Sequence, residues 1–350
     1  MLLFFSILSA YCFFYAPFGV NETDGGFLTG LAWQLLSGKT LYADVLYVRP
    51  PLPVWLRAAE LTVLPDTWAI LGERWIFYLK AGGYSWLAAA VLATGSRRWL
   101  LASMGFVVSV HCYPAAAWHT TDGILFGVAG IWLLAKTRSG WGSALAGAAF
   151  FAAALCKQSF YPLALVLVVL LLAENDRKRA GWGLAAFVVA ALWFAGYLYQ
   201  AGLLESYLSL TGNSATGGQA LQHGVLDYFR IKPVLALATA ILLLPVARFW
   251  IRKKQGRLAA WCWVLWLLLL AAAYVREILA SQTFTIPFAQ ARLLFWVGIG
   301  WIGYQAFAAG PGSFFRRKDA TSPVSPLLYH GALLALSWCA AVSWGYNLPL

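Results

Sequence analysis

The chain has 350 residues, of which 61% are hydrophobic and only 11% charged, with a formal net charge of +12. A soluble domain carries roughly 25% charged residues, so this composition excludes a soluble globular core and describes a polytopic membrane protein. The positive balance does not indicate nucleic acid, because Lys and Arg fall mostly in short loops between apolar runs, as the positive-inside bias requires.

Apolar runs of about 17 to 25 residues recur along the whole length, and a backbone in lipid must satisfy its own hydrogen bonds. The expected fold is therefore all-α, about eleven transmembrane helices in one transmembrane domain covering 1–350. Residues 1–17 lack the basic n-region and cleavage site of a signal peptide and read as the first span.

Residues 18–67 follow as an outer loop too polar to cross. They hold Glu22, Asp24, Asp44 and Glu60, beside Arg49 and Arg57. Two interfacial helices are expected here. Over 24–37, Phe27, Leu28, Leu31 and Leu35 share a face, Thr23 or Asp24 can cap the start, and Gly38 can end the helix. The second, over 51–64, begins at Pro51-Leu-Pro-Val-Trp-Leu. Reading it as a span would invert every later basic cluster, so it is placed on the surface.

Further spans are expected at about 68–94, 99–114, 119–136, 141–156, 158–174, 181–200, 231–250, 258–275, 289–308 and 326–345. With the amino terminus cytoplasmic, Arg97 and Arg98, Lys136 and Arg138, Arg177 to Arg179, Arg252 to Lys254 with Arg257, and Arg316 to Lys318 all share the cytoplasmic face. The outer face receives nearly all the carboxylates, with a second outer loop at 201–230 whose Thr211-Gly-Asn-Ser-Ala-Thr-Gly-Gly stretch reads as a connector or a lid. Cys12, Cys112, Cys156, Cys262 and Cys339 are scattered singly in apolar runs and read as core residues. Glycine patches such as Ala81-Gly-Gly-Tyr read as packing surfaces.

The candidate chemistry lies on the outer side. Asp24 heads a helix and precedes Gly25 and Gly26; it suits an N-cap, a general base, or both. Asp44 suits a loop salt bridge, a metal contact or acceptor orientation. Arg49-Pro-Pro-Leu holds a planar guanidinium beside a rigid dipeptide, matched to a lipid phosphate. His119 and Asp122 lie three apart on one helix face, as helix caps, acceptor contacts or half a metal site. Lys157, at a turn between apolar helices, either snorkels or meets a phosphate. Arg292 sits a turn into a span, a functional candidate by depth, and Arg276 adjoins Glu277. No Walker A loop, HExxH, GxSxG or dinucleotide fingerprint occurs, so no nucleotide cofactor is expected; a divalent metal is left open.

Asp24-Gly-Gly-Phe, Leu35-Leu-Ser-Gly-Lys-Thr-Leu-Tyr-Ala-Asp44 and Arg49-Pro-Pro-Leu together resemble the first outer loop of GT-C superfamily glycosyltransferases. The nearest likeness is to bacterial relatives of protein O-mannosyltransferase and of lipid A aminoarabinose transferase. Residues 145–159, through Cys156-Lys157-Gln-Ser, are similar to a glycine- and lysine-containing hairpin of such proteins. The resemblance implies transfer of a sugar from a polyprenyl-phosphate-linked donor to a glycan, lipid or protein acceptor on the outer face of a bacterial inner (plasma) membrane. It implies that Asp24, with Asp44, is catalytic and that Arg49, helped by Lys157 or Arg292, binds the donor phosphate. The family's usual Asp-Glu pair stands here as Asp24-Gly25, and the match is specific only over 21–57. Two rivals stand beside this reading: a lipid-linked sugar flippase or small-molecule transporter, and a scaffold that kept the fold without activity.

Overall fold

The computed structural model describes residues 1–19, 24–116, 118–173, 176–212, 302 and 326–341. Among them the chain is almost wholly helical and contains no strand beyond an isolated bridge between Leu41 and Val45. The helices are α1 (Leu2–Ala10), which runs on into a π-helical turn (Tyr11–Tyr15), α2 (Asp24–Leu36), α3 (Leu52–Val63), α4 (Ala69–Leu92), α5 (Gly95–Cys112), α6 (His119–Lys136), α7 (Gly140–Ala154), α8 (Leu163–Ala173), α9 (Arg177–Gln200), α10 (Leu204–Gly212) and α11 (Pro326–Ala341).

Local chemistry sets the boundaries. Gly38 adopts φ +87° after α2, and Lys39 N–H donates to Gln34 O at 3.0 Å, the six-to-one bond of a glycine-terminated helix. Pro51 and Pro53 open α3, where missing N–H groups cost nothing. Ser139 Oγ accepts from Gly142 N at 3.0 Å to cap α7, and Asp176 Oδ1 accepts from Lys178 N and Arg179 N, both at 3.1 Å, to cap α9. These caps satisfy amides that the helices themselves leave open.

The main core centres on α6, which packs against α4, α7 and α11, while α5 lies on α4 and α9 on α7. Small residues allow the close approach. Gly127 faces Leu163 and Leu336, and Gly130 faces Phe150, while Gly82 lies under Leu8 and Phe4 of α1. The expected packing role of the Ala81-Gly-Gly patch is thus seen in α4. A second, smaller core joins the first loop to the end of α9 and to α10: Leu28, Leu31, Tyr42, Tyr47 and Val54 pack with Phe194, Leu198, Leu203 and Tyr207.

The helices expected over 24–37 and 51–64 are present, as are those expected at 68–94, 99–114, 119–136, 141–156, 181–200 and 326–345, with shifted ends. α5 starts earlier than expected and takes Arg97 and Arg98 into its first turn; the Arg98 guanidinium lies 5.4 Å from the Trp86 ring and 5.0 Å from Trp99. The segment expected to span from 158 begins instead with a 3-10 turn (Gln158–Phe160) and enters α8 only after Pro162. The expected spans at 231–250, 258–275 and 289–308 lie outside the described residues, as do Arg276, Glu277, Arg292 and most of the 201–230 loop.

Among the described residues α9 is both long and apolar enough to cross a membrane. Four shorter apolar stretches accompany it: Leu2–Tyr15, Gly140–Ala154, Gln158–Ala173 and Leu327–Ala340. α4 (24 residues) and α6 (18 residues) carry Glu73, Arg74 and Lys80, and Asp122, respectively, within otherwise largely apolar runs.

Candidate functional site

Two hydrogen bonds tie the segment between α2 and α3 and the start of α3 to the α7–α8 turn, and a third closes the segment on itself. Gln158 Nε2 donates to Val48 O at 2.6 Å, Leu52 N–H donates to Leu155 O at 3.2 Å, and Tyr42 Oη donates to Arg49 O at 2.7 Å. These bonds hold Arg49-Pro50-Pro51 between residues tied to either side of Lys157, at Leu155 and Gln158. Proline fixes its own φ and restricts the residue before it, so the Arg49 backbone is held on both sides.

Lys157 does not snorkel outward. It is buried, and its Nζ donates to Thr120 Oγ1 at the start of α6 at 3.0 Å. Its neighbour His119 is 1% exposed, lies tilted by 35° against Trp118 with ring centroids 5.0 Å apart, and has no hydrogen-bond partner for either ring nitrogen. The positive charges of both Arg49 and Lys157 act on this ring. Tyr47, also 1% exposed, turns a partnerless hydroxyl into the same region; it feels Arg49 and Asp122. Burial pushes the Tyr47 phenol above its ordinary range and Arg49 pulls it back only in part, so it remains a neutral donor. Thr121 Oγ1 is a further buried hydroxyl with no partner.

Beside this cluster runs a chain of charges. Glu73 Oε2 accepts from Thr29 Oγ1 at 3.1 Å and from Arg57 Nη2 at 3.2 Å. Arg57 is 1% exposed. It also donates to Thr29 Oγ1 (3.0 Å), Ala69 O (2.7 Å) and Glu60 Oε2 (3.1 Å). Glu60 Oε1 takes Lys80 Nζ at 2.9 Å, and Lys80 Nζ lies 2.7 Å from Asp122 Oδ1. One sequence of alternating signs thus ties α2 and α3 to α4 and α6. Removal of one member of such a buried chain takes a charged partner from its neighbour, which is costly in the interior.

The structure therefore brings Arg49, His119, Asp122 and Lys157 into one neighbourhood. Asp24 stands at the first position of α2. The next residue, Gly25, is buried against Glu73 Oε1 and the Ala116 side chain, where a Cβ would collide with both. Because Ala116 lies three positions before His119, the head of α2 and the head of α6 adjoin. Asp44 is elsewhere: it is exposed, and its Oδ2 accepts from Thr40 N at 2.8 Å within its own turn. Arg292 lies outside the described residues.

Sequence reasoning did not pick out Arg57, Glu73 or Lys80 as site neighbours. α3 was expected to lie on the surface, yet its Arg57 points into the protein. The available signal was Glu73 and Lys80, seven apart on one helix face of an otherwise apolar run, with Arg57 and Glu60 three apart on another.

The donor set does not fit a divalent cation. Asp122 is neutralised by Lys80, two positive charges act at His119, and among the described residues no three His, Cys, Asp or Glu side chains gather as metal ligands. Buried N–H and O–H groups beside two cations suit an oxyanion instead. Comparison with family models, with curated proteins and with solved structures returns no match to this chain.

Proposed function

We propose that the chain is a polytopic integral-membrane glycosyltransferase of GT-C type, moving a sugar from a polyprenyl-phosphate-linked donor to an acceptor on the outer face of a bacterial inner membrane. The observation that carries this reading is the buried, partnerless ring of His119 beside Thr120, which Lys157 Nζ reaches at 3.0 Å, with Arg49 near enough to act on the ring electrostatically. Exposed apolar side chains along α9, among them Val188, Val189, Leu192 and Trp193, support a lipid setting, since a soluble surface rarely carries such a continuous patch.

In the reaction, Asp24 takes the proton of an acceptor hydroxyl or amine as that atom bonds to the anomeric carbon. The bond from that carbon to the phosphate oxygen breaks, its electron pair stays on the phosphate, and the configuration inverts. Arg49 and Lys157 neutralise the departing phosphate, and the His119 N–H and Tyr47 hydroxyl donate to its oxygens. The protein contributes mainly placement and charge stabilisation, because the leaving group is already activated. In this scheme Arg292 is a further cation for the donor by its place in the sequence. Asp44 serves its turn, and its part in the chemistry rests on the family likeness alone.

The test uses purified protein in nanodiscs, a panel of synthetic polyprenyl-phosphate-linked hexoses and a bacterial envelope extract as acceptor source, with release of polyprenyl phosphate as the readout. Release by the parent and its abolition in Asp24→Asn, with polyprenyl-phosphate binding kept, are expected. Substantial release by Asp24→Asn would sink the assignment of the base.

The buried Lys80–Asp122 pair favours one second reading, a flippase or transporter for the same lipid-linked sugars, because ionisable pairs inside a bundle often mark a translocation path. Movement of labelled donor across liposomes with no covalent product would select it.

A further inference from the structure

Glu73 is an acid in an apolar helix, and three features explain its placement. Its Oε2 is held by Arg57 and Thr29 at 3.2 and 3.1 Å. Its Oε1 occupies the space where a side chain of residue 25 would begin. Residue 25 is glycine, and it directly follows Asp24 in the first turn of α2. A carboxylate there faces the helix end where amides are open and the macrodipole is positive.

We infer that Glu73 supplies, from α4, the second carboxylate of the first-loop site, in the place left by the missing side chain at position 25, and that it positions Asp24. The inference rests on the glycosyltransferase reading for the role of Asp24. The contact itself stands on geometry alone. Gly25 is then required because the carboxylate comes from outside the helix: a Cβ would strike both Glu73 Oε1 and Ala116. Arg57 and Thr29 are required because an acid reaching across from another helix must be held from behind. Thr29 is one turn further along α2 than Gly25, so the acid binds α2 at two successive turns. Glu73 itself receives no proton from the acceptor; it holds the backbone on which Asp24 is mounted.

The test is a reciprocal exchange. Four variants are compared with the parent: Glu73→Gln, Glu73→Ala, Gly25→Ala and the double change Gly25→Glu with Glu73→Ala. Amide hydrogen exchange over Gly26–Thr29 reports the hold on α2, and release of polyprenyl phosphate from the hexose panel reports kcat and donor KM. Glu73→Ala should speed exchange in that turn and lower kcat about 100-fold, the cost of a small misplacement, with donor KM within about twofold. Glu73→Gln keeps the shape and folds if Glu73→Ala does not; a loss of about tenfold in kcat is expected. Gly25→Ala should resemble it. The double change removes the clash with Glu73 while the contact with Ala116 remains; it returns a carboxylate from residue 25 itself and should recover about tenfold over Glu73→Ala, the coupling expected of residues in contact.

Parent-like exchange and kcat in Glu73→Gln and Gly25→Ala would overturn the inference while leaving the transferase reading intact. If the parent transfers no hexose, exchange alone decides: faster exchange in Glu73→Gln upholds the hold of Glu73 on α2 while the transferase reading fails, and unchanged exchange overturns it.

Discussion

Two buried polar clusters lie side by side in the amino-terminal halves of α4 and α6, and they are built in opposite ways. From Glu73 through Arg57, Glu60 and Lys80 to Asp122, each charge meets one of the other sign within 3.2 Å. Around His119, by contrast, two ring nitrogens and the hydroxyls of Tyr47 and Thr121 are buried without partners. Burying a polar group without a bond costs free energy. Several such groups stand together beside the chain of ion pairs, and under the proposed function they are the donors that a phosphate would meet. If the proposed function holds, changes in the ion-paired chain should act on stability and changes around His119 on binding.

The widest separation of the two clusters should come from Arg57→Ala. It removes the buried guanidinium shared by Glu73 and Glu60, leaving Lys80 as the cation of Glu60, and a loss of about 3–5 kcal/mol in stability is expected, read as a fall in the detergent melting temperature. A change below about 1 kcal/mol would remove the chain's structural role.

His119→Phe should do the reverse. The ring volume is kept and no bond is lost, so stability should hold or rise slightly, while polyprenyl-phosphate affinity falls about tenfold, or about 1.4 kcal/mol. Isothermal titration in nanodiscs measures the affinity; unchanged binding with lost stability would mean that His119 belongs to the scaffold.

Tyr47→Phe is a milder form of the same test. Stability should stay within about 0.5 kcal/mol and phosphate affinity should drop a few-fold. Burial raises the folded Tyr47 above its unfolded value of about 10, so its contribution is complete below about pH 10 and is lost only as pH climbs through the higher folded value. Parent binding should therefore show no Tyr47-dependent decline up to about pH 9; a decline in the parent that Tyr47→Phe abolishes would contradict this placement.

Asp44→Ala should have the smallest effect. It removes one exposed bond to Thr40 N, worth about 1 kcal/mol, and should leave transfer unchanged. A 100-fold loss, about 2.7 kcal/mol, would return Asp44 to the chemistry.

The sequence made the helices legible because apolar length and K/R placement are local signals. α2 shows this well: its apolar face, its start at Asp24 and its glycine end at Gly38 are all consecutive residues. The candidate site was legible in part for the same reason, since Arg49-Pro-Pro and His119-Thr-Thr-Asp122 are short runs. The chain of charges was hidden because its pairs beyond Arg57–Glu60 join residues 16, 20 and 42 positions apart, and only packing brings them together. Lys157 illustrates the limit: at an outer turn, snorkelling and inward burial begin from the same sequence, and Thr120 decides between them only once α6 is in place. Gly25 was read as a missing acid; with Glu73 against it, the position is filled from another helix.

The most direct test is an experimental structure with polyprenyl phosphate bound. The account predicts the phosphate within hydrogen-bonding distance of the His119 ring and of the Arg49 or Lys157 side chain, with the polyprenyl tail leaving toward lipid. A phosphate bound away from all three, with His119 still enclosed and partnerless, would contradict it.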